Sequence, residues 1–198
     1  MIRHLFGLIA AAIAVSSCAP ESAEPTLDTQ IDTPAGRWIV NSDESRLGFS
    51  ATQNNEAFDG EFESFRAEID FDPDDLENAR ISVAVDMTSA KTGDRQRDSA
   101  LPGGDWFKAR EFPEAEFLST DITRSADGNY TANGSLTIRD MTKEISLPFS
   151  LAIDGDVADA AGEITLVRTD FGVGRGEFSE GKWVGLDVGV SFQIVATR

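Results

Sequence analysis

From Val184 to Ile194 the chain alternates without interruption. Val184, Leu186, Val188, Val190, Phe192 and Ile194 fall on one parity, and Gly185, Asp187, Gly189, Ser191 and Gln193 on the other. A period of two places successive side chains on opposite faces of an extended strand, so this segment has one apolar and one polar face. The pattern recurs. Ile81, Val83, Val85 and Met87 alternate with Arg80, Ser82, Ala84 and Asp86, and Ile145, Leu147, Phe149, Leu151 and Ile153 form one face of the run from Glu144 to Asp154. Further runs at Arg37–Val40, Arg46–Thr52, Glu56–Phe71, Glu114–Thr123, Tyr130–Ile138 and Ala158–Thr169 complete a set of nine, read as about eight strands. Such a set admits a sandwich or an up-and-down barrel. The strands are long and the hairpins sequential, which favours closure, because a barrel leaves no strand edge unpaired. The expected fold is all-β: an antiparallel barrel of about eight strands.

The punctuation fits this reading. Asp127-Gly128 and Asp154-Gly155-Asp156 are hairpin signals, and Arg139-Asp140-Met141 is a further turn. In the run from Glu56 to Phe71, Phe58, Gly60 and Phe62 share one parity and Phe65, Ala67, Ile69 and Phe71 the other, so a bulge or sharp bend belongs between Phe62 and Phe65. Asp72-Pro73-Asp74-Asp75 lacks the spaced ligands and glycine of a calcium loop and reads as a solvated turn. Phe171-Gly172-Val173-Gly174-Arg175-Gly176 is no dinucleotide fingerprint, since no βαβ unit surrounds it; its glycines suit tight bends at a barrel rim.

One stretch breaks the period. Thr92 to Phe117 carries Arg95, Arg97 and Asp98 in a short helical segment that Pro102-Gly103-Gly104 must stop, and then the pair Trp106-Phe107. Residues 94–108 therefore form a short helix and lid. Its aromatic pair either plugs whatever the strands enclose or caps a core.

The front of the chain is of another kind. Arg3 and His4 precede an apolar run from Leu5 to Val15, too short to span a bilayer, that ends Val15-Ser16-Ser17-Cys18. This is the form of a secretory signal peptide over residues 1–17, and its end resembles a bacterial lipobox, after which Cys18 is lipidated. Residues 18–35 then read as a lipid anchor and disordered tether with a reach of roughly 20–25 Å, and 36–198 as the barrel domain. Cys18 is the sole cysteine and His4 the sole histidine. Cleavage would remove the commonest general base and transition-metal ligand, so no Ser-His-Asp triad, Cys-His pair or typical zinc site is expected. Carboxylates are plentiful, but nothing in the sequence sets two across a cleft as glycoside hydrolysis needs. Neither an enzyme nor a metal site is expected. A formal charge of −18 disfavours nucleic acid.

An ordered set of short pieces is similar to one family. Gly60-Glu61-Phe62 with Phe65, Asp70-Phe71-Asp72-Pro73, Thr92-Gly93-Asp94 before Arg97-Asp98, Trp106-Phe107, Phe112-Pro113-x-Ala115-x-Phe117, Gly134-x-Leu136-Thr137-Ile138-Arg139 and Arg168-x-Asp170-Phe171-Gly172-Val173-Gly174 together resemble the YceI-like periplasmic polyisoprenoid-binding proteins over residues 36–198. The resemblance implies a lipocalin-like barrel whose apolar lumen holds an isoprenoid chain. Many members carry a His-Ser pair after the first strand and a histidine within Arg-Asp-x-His-Leu. Here Glu44 precedes Ser45, and Ala100 stands in the second motif, as in the branch associated with cytochrome b561-type membrane domains. Any headgroup contact made by those histidines is lost in this chain.

These readings lead to a lipid-anchored periplasmic carrier of a polyprenyl or quinone-type lipid, with no other cofactor. A packed barrel serving as a protein-interaction module stands as the alternative. Expected lumen and lid residues are Phe49 on the second strand, Ile81, Val83 and Val85, Trp106 and Phe107, Phe117, Leu147 and Phe149, and Leu186, Val188, Val190 and Phe192. Arg95 and Arg97 are placed to meet a headgroup. Expected partners are the isoprenoid, the membrane through Cys18, and a membrane cytochrome or other envelope protein. Ala19 after Cys18 slightly favours the outer membrane.

Overall fold

The computed structural model describes residues 36–198; the expected signal peptide, the lipidated Cys18 and the tether lie outside the described residues. Eleven strands run in chain order: β1 Arg37–Val40, β2 Arg46–Gln53, β3 Glu56–Phe62, β4 Phe65–Asp70, β5 Arg80–Asp86, β6 Ala90–Lys91, β7 Glu114–Arg124, β8 Tyr130–Ile138, β9 Met141–Asp154, β10 Val157–Val167 and β11 Asp187–Thr197. Among the described residues the one α-helix, α1, spans Arg95–Ala100. Three pairs of these strands are halves of bent ones. β1 and β2 both pair with β11, β4 pairs with β1 where β3 pairs with β2, and β6 continues β5 beside β3. The result is an antiparallel barrel of eight strands, closed by the β1–β11 pairing.

The bends have local causes. Between β3 and β4 the apolar parity changes at Glu63-Ser64, where the strand breaks, as the sequence requires. Between β1 and β2 the chain leaves the ladder at residues 41–45. There Ser45, only 2 % exposed, donates to the Asn41 carbonyl (2.7 Å) and accepts from the Val195 amide (3.0 Å). That hydroxyl fastens the kink to β11. Elsewhere the hairpins are tight. The β8–β9 turn is Arg139-Asp140 alone, with Arg139 at φ +58°, so Met141 begins the next strand instead of ending the turn.

The two ends of the barrel differ. One collects the β2–β3 hairpin, the connection 92–113 that holds α1, the β8–β9 turn and the connection 168–186. The other collects the connections 71–79, 125–129 and 155–156, and the chain enters it at Gly36, whose carbonyl accepts from the Phe71 amide. This second end is filled by rings. Trp38 is buried and donates its indole N–H to the Phe71 carbonyl (2.9 Å); Phe71 meets Tyr130 edge-on at 5.3 Å, and Tyr130 stacks on Phe149 at 5.4 Å. Each such ring contributes about 1.5–3 kcal/mol through burial, and together they form a floor.

Ser45→Ala would leave the part-buried amide of Val195 without its hydroxyl partner and the Asn41 carbonyl with only the longer bond from the Glu44 amide (3.3 Å), a cost of about 1–3 kcal/mol. Urea denaturation should show a lower midpoint; an unchanged midpoint would mean that the kink stands without its hydroxyl.

Candidate functional site

Above the aromatic floor the barrel is hollow. Its cavity measures about 830 Å³, within the roughly 300–1,000 Å³ typical of ligand sites. Inward-facing positions supply its wall: Leu47 and Phe49 from β2, Phe65, Ala67 and Ile69 from β4, Ile81, Val83 and Val85 from β5, Leu147 and Phe149 from β9, and Val188, Val190 and Phe192 from β11. Phe117 on β7 lies in the wall just above the floor and is buried. Phe49 needs a bare backbone opposite it: a Cβ on Gly60 would stand 2.3 Å from its ring. Its ring meets Phe62 at 5.3 Å, and Phe62 meets Phe107 at 6.0 Å. An aromatic file thus runs from the wall to the lid.

The lid is a stitched structure. Asp94 caps α1 by accepting from the amides of Gln96 (2.9 Å) and Arg97 (3.0 Å), which holds the Asp94 carboxyl below its usual range. The Asp105 carbonyl accepts from the amides of Gly174 (2.7 Å) and Arg175 (2.8 Å), joining the two long connections. Trp106 and Phe107 are half-buried and line the cavity from above. Trp106 is held on several sides. Its carbonyl accepts from Arg139 (2.6 Å), its ring lies 5.0 Å from Phe178, and the Arg168 guanidinium lies 5.5 Å from the ring centre.

Arg168 is the residue that sequence reasoning passed over. It is 5 % exposed, lines the cavity, and forms no salt bridge among the described residues. Its donors reach the carbonyls of Gly185, Val173, Gly174, Phe178 and Val184 at 2.5–3.2 Å. A guanidinium has five N–H groups, so Arg168 has none left for a ligand. Burial lowers its pKa, and the carbonyl dipoles replace the water it has lost. Gly174 makes room for it: φ is +80°, and a Cβ there would stand 1.9 Å from Nη1. Arg139 is similarly buried and bonds the carbonyls of Trp106 and Gly172, with its Nε unpartnered and its pKa lowered by burial. The signal in sequence was a cation placed between a strand and a glycine-rich loop, where bent backbone leaves carbonyls needing donors.

Apart from Arg168, the polar groups that line the cavity gather at one rim, between the β2–β3 hairpin and α1: Gln53, Asn54, Glu56, Asp94, Gln96 and Arg97. Arg97 donates Nε to Thr92 Oγ1 (3.2 Å) and Nη1 to Gln53 Oε1 (3.1 Å), and its guanidinium lies 4.4 Å from the Phe58 ring centre. Nη2 has no partner among the described residues. Asp98 does not pair with Arg97 but accepts from the Thr92 amide and hydroxyl, both at 2.8 Å.

Two expected site residues are misplaced. Arg95 is exposed and lies off the cavity, because residues two apart on a helix face nearly opposite ways and Arg97 takes the inward side. Leu186 is 36 % exposed and lies outside the lumen. The β10–β11 ladder ends at Val167–Asp187, so the alternation that aimed Leu186 inward stops before it, and Leu186 packs over Gly181 instead. Val184 is still buried against the cavity, through an isolated bridge to Gln53. At the two positions where the family resemblance made histidine the expectation, Ala100 lines the cavity and Glu44 is exposed.

Among the described residues no group of three or more His, Cys, Asp or Glu side chains could hold a metal. The carboxylates that reach the cavity are Glu56 and Asp94, both at the rim.

The family model for the YceI-like domain matches residues 38–196. A UPF0312 protein of Vibrio parahaemolyticus is 29% identical over 140 residues, 71% of this chain and 70% of its own length. The crystal structure of Burkholderia cenocepacia BcnA superposes with a TM-score of 0.76 at 30% identity, over 80% of this chain and all 100% of that one. A polyisoprenoid binding domain from Saccharophagus degradans, implicated in plant cell wall breakdown, shares the fold at a TM-score of 0.64 and 10% identity, over 82% of this chain and 98% of that one.

Replacing Arg168 by Lys tests the closure of the lid end. Lysine offers three donors in place of five and cannot span the same carbonyls. Arg168→Lys should lower the urea midpoint by the equivalent of about 2 kcal/mol or more, from carbonyls left unpaired. Unchanged stability would contradict a structural role for Arg168.

Proposed function

The chain belongs to the YceI-like family, and we propose that it is a non-enzymatic carrier that holds the apolar chain of an isoprenoid lipid, polyprenyl or quinone-type, in its barrel lumen. The observation that carries the reading is the cavity. It is walled by aliphatic and aromatic side chains, closed at one end by rings and polar only at its rim. Its buried cation has no donor to spare. Such a lumen selects by girth and length, and each buried methylene adds about 0.8 kcal/mol. The same hollow counts against the packed barrel, whose side chains would have to fill it.

The setting proposed is the bacterial periplasm. Cys18 would carry the lipid anchor, with the outer membrane slightly favoured, and residues 18–35 would tether the barrel to the bilayer. A membrane cytochrome of the b561 type or another envelope protein would receive or supply the lipid. These readings rest on the apolar run from Leu5 to Val15, the small residues before Cys18, and the departures at Glu44 and Ala100.

The test is native mass spectrometry of the full chain expressed in its bacterial host, with residues 36–198 purified after proteolytic release without detergent and then extracted with organic solvent. A bound mass of a polyprenyl or quinone species is the expected result. A clean apo mass, with no uptake of added isoprenoid, would overturn the carrier reading. In the same cells labelled palmitate should enter the protein and be lost in Cys18→Ser; label retained there would dismiss the anchor.

A further inference from the structure

The rim of the cavity carries more charge than the lumen, and its balance is negative. Glu56 from the start of β3 and Asp94 from the cap of α1 both line it, against the single cation of Arg97. Asp94 is committed to the charged state, because its carboxylate accepts two helix amides and its pKa is lowered. Arg97 is partly committed to the protein through Thr92, Gln53 and the face of Phe58. What the rim still offers is the Nη2 group of Arg97 and the side-chain amide donors of Gln53, Asn54 and Gln96, with carboxylate acceptors beside them.

We propose that this rim is a charge filter: it admits an isoprenoid whose headgroup is a small uncharged oxygen group (hydroxyl, phenol or quinone carbonyl) and discriminates against a phosphorylated one. The inference rests on the carrier reading and adds the headgroup class and the residues that select it. A carbonyl oxygen can accept from Arg97 or Gln53, and a hydroxyl can in addition donate to Asp94 or Glu56. A phosphate or diphosphate has only acceptors to offer at the same rim. It would bring two or more negative charges beside two fixed carboxylates, on a chain whose formal charge is already −18. One arginine cannot offset that repulsion. Moreover, Arg168, the other cation lining the cavity, is saturated by backbone carbonyls. Glu56 is exposed and therefore screened, so the discrimination is moderate and depends on salt.

The experiment compares equilibrium binding of a prenyl alcohol, its monophosphate and its diphosphate, all with one tail, together with a quinone bearing a similar tail. The protein is the full chain and its double variant Glu56→Gln, Asp94→Asn; asparagine still caps a helix, so α1 is kept. The alcohol and the quinone should bind alike, and the diphosphate on the order of tenfold more weakly at low salt. That gap should narrow in the double variant and again as salt is raised. A diphosphate that binds as well as the alcohol, or a gap unchanged in the double variant, would overturn the filter while leaving the carrier reading intact. Failure of all four compounds to bind would bring down the carrier reading and the filter with it.

Discussion

The structure depends on β11 being paired along both sides. On one side it runs against β10 over eleven residue pairs; on the other it takes β2 over residues 189–193 and β1 over 196–197. No edge is left there for another chain, and the sheet is forced round on itself. Closure fixes which parity faces inward. Because one face of every strand is apolar, closure also makes the interior a continuous apolar space. The kink between β1 and β2, held by Ser45, lets one chain segment follow β11 round the barrel while it bends.

A closed sheet of this kind still has two ends, and the chain treats them by different chemistry. One end is filled with aromatic side chains that pack on one another, with the Trp38 indole N–H donating to the Phe71 carbonyl. The other is covered by irregular backbone, whose carbonyls cannot all find ladder amides. Arg168 and Arg139 supply the missing donors from below, at the cost of burying two cations away from water. Among the described residues neither forms a salt bridge with a carboxylate; their compensation is the backbone itself. Arg168, the buried cation that lines the lumen, is therefore part of its lid. The rim groups around Arg97 are the polar groups of the cavity whose donors are not all taken.

Most of the fold was legible because a period of two is a strong signal over eight to fourteen residues. The strands from Tyr130, through Met141 and Val157, follow the alternation closely, and the change of parity at Glu63-Ser64 is where the chain bends. Legibility fails where alternation continues beyond the ladder. Leu186 shares the parity of Val188, yet pairing has ended by then and the loop packing decides its direction. Arg95 and Arg97 looked equivalent in a charged segment; only the handedness and docking of a six-residue helix separates them. The knot of Arg168 was not visible, because its partners are carbonyls spread from Val173 to Gly185 whose convergence is a product of the fold.

The carrier reading requires the lumen to hold an extended apolar chain by burial alone. It is tested most directly by titrating the protein with prenyl alcohols of increasing length, in parallel with Ala160→Phe, which places a ring in the cavity wall. Affinity should climb with each added isoprene unit until the cavity is full and then level, with the plateau reached at a shorter length in the variant. Affinity independent of chain length, or a plateau unmoved by Ala160→Phe, would contradict it.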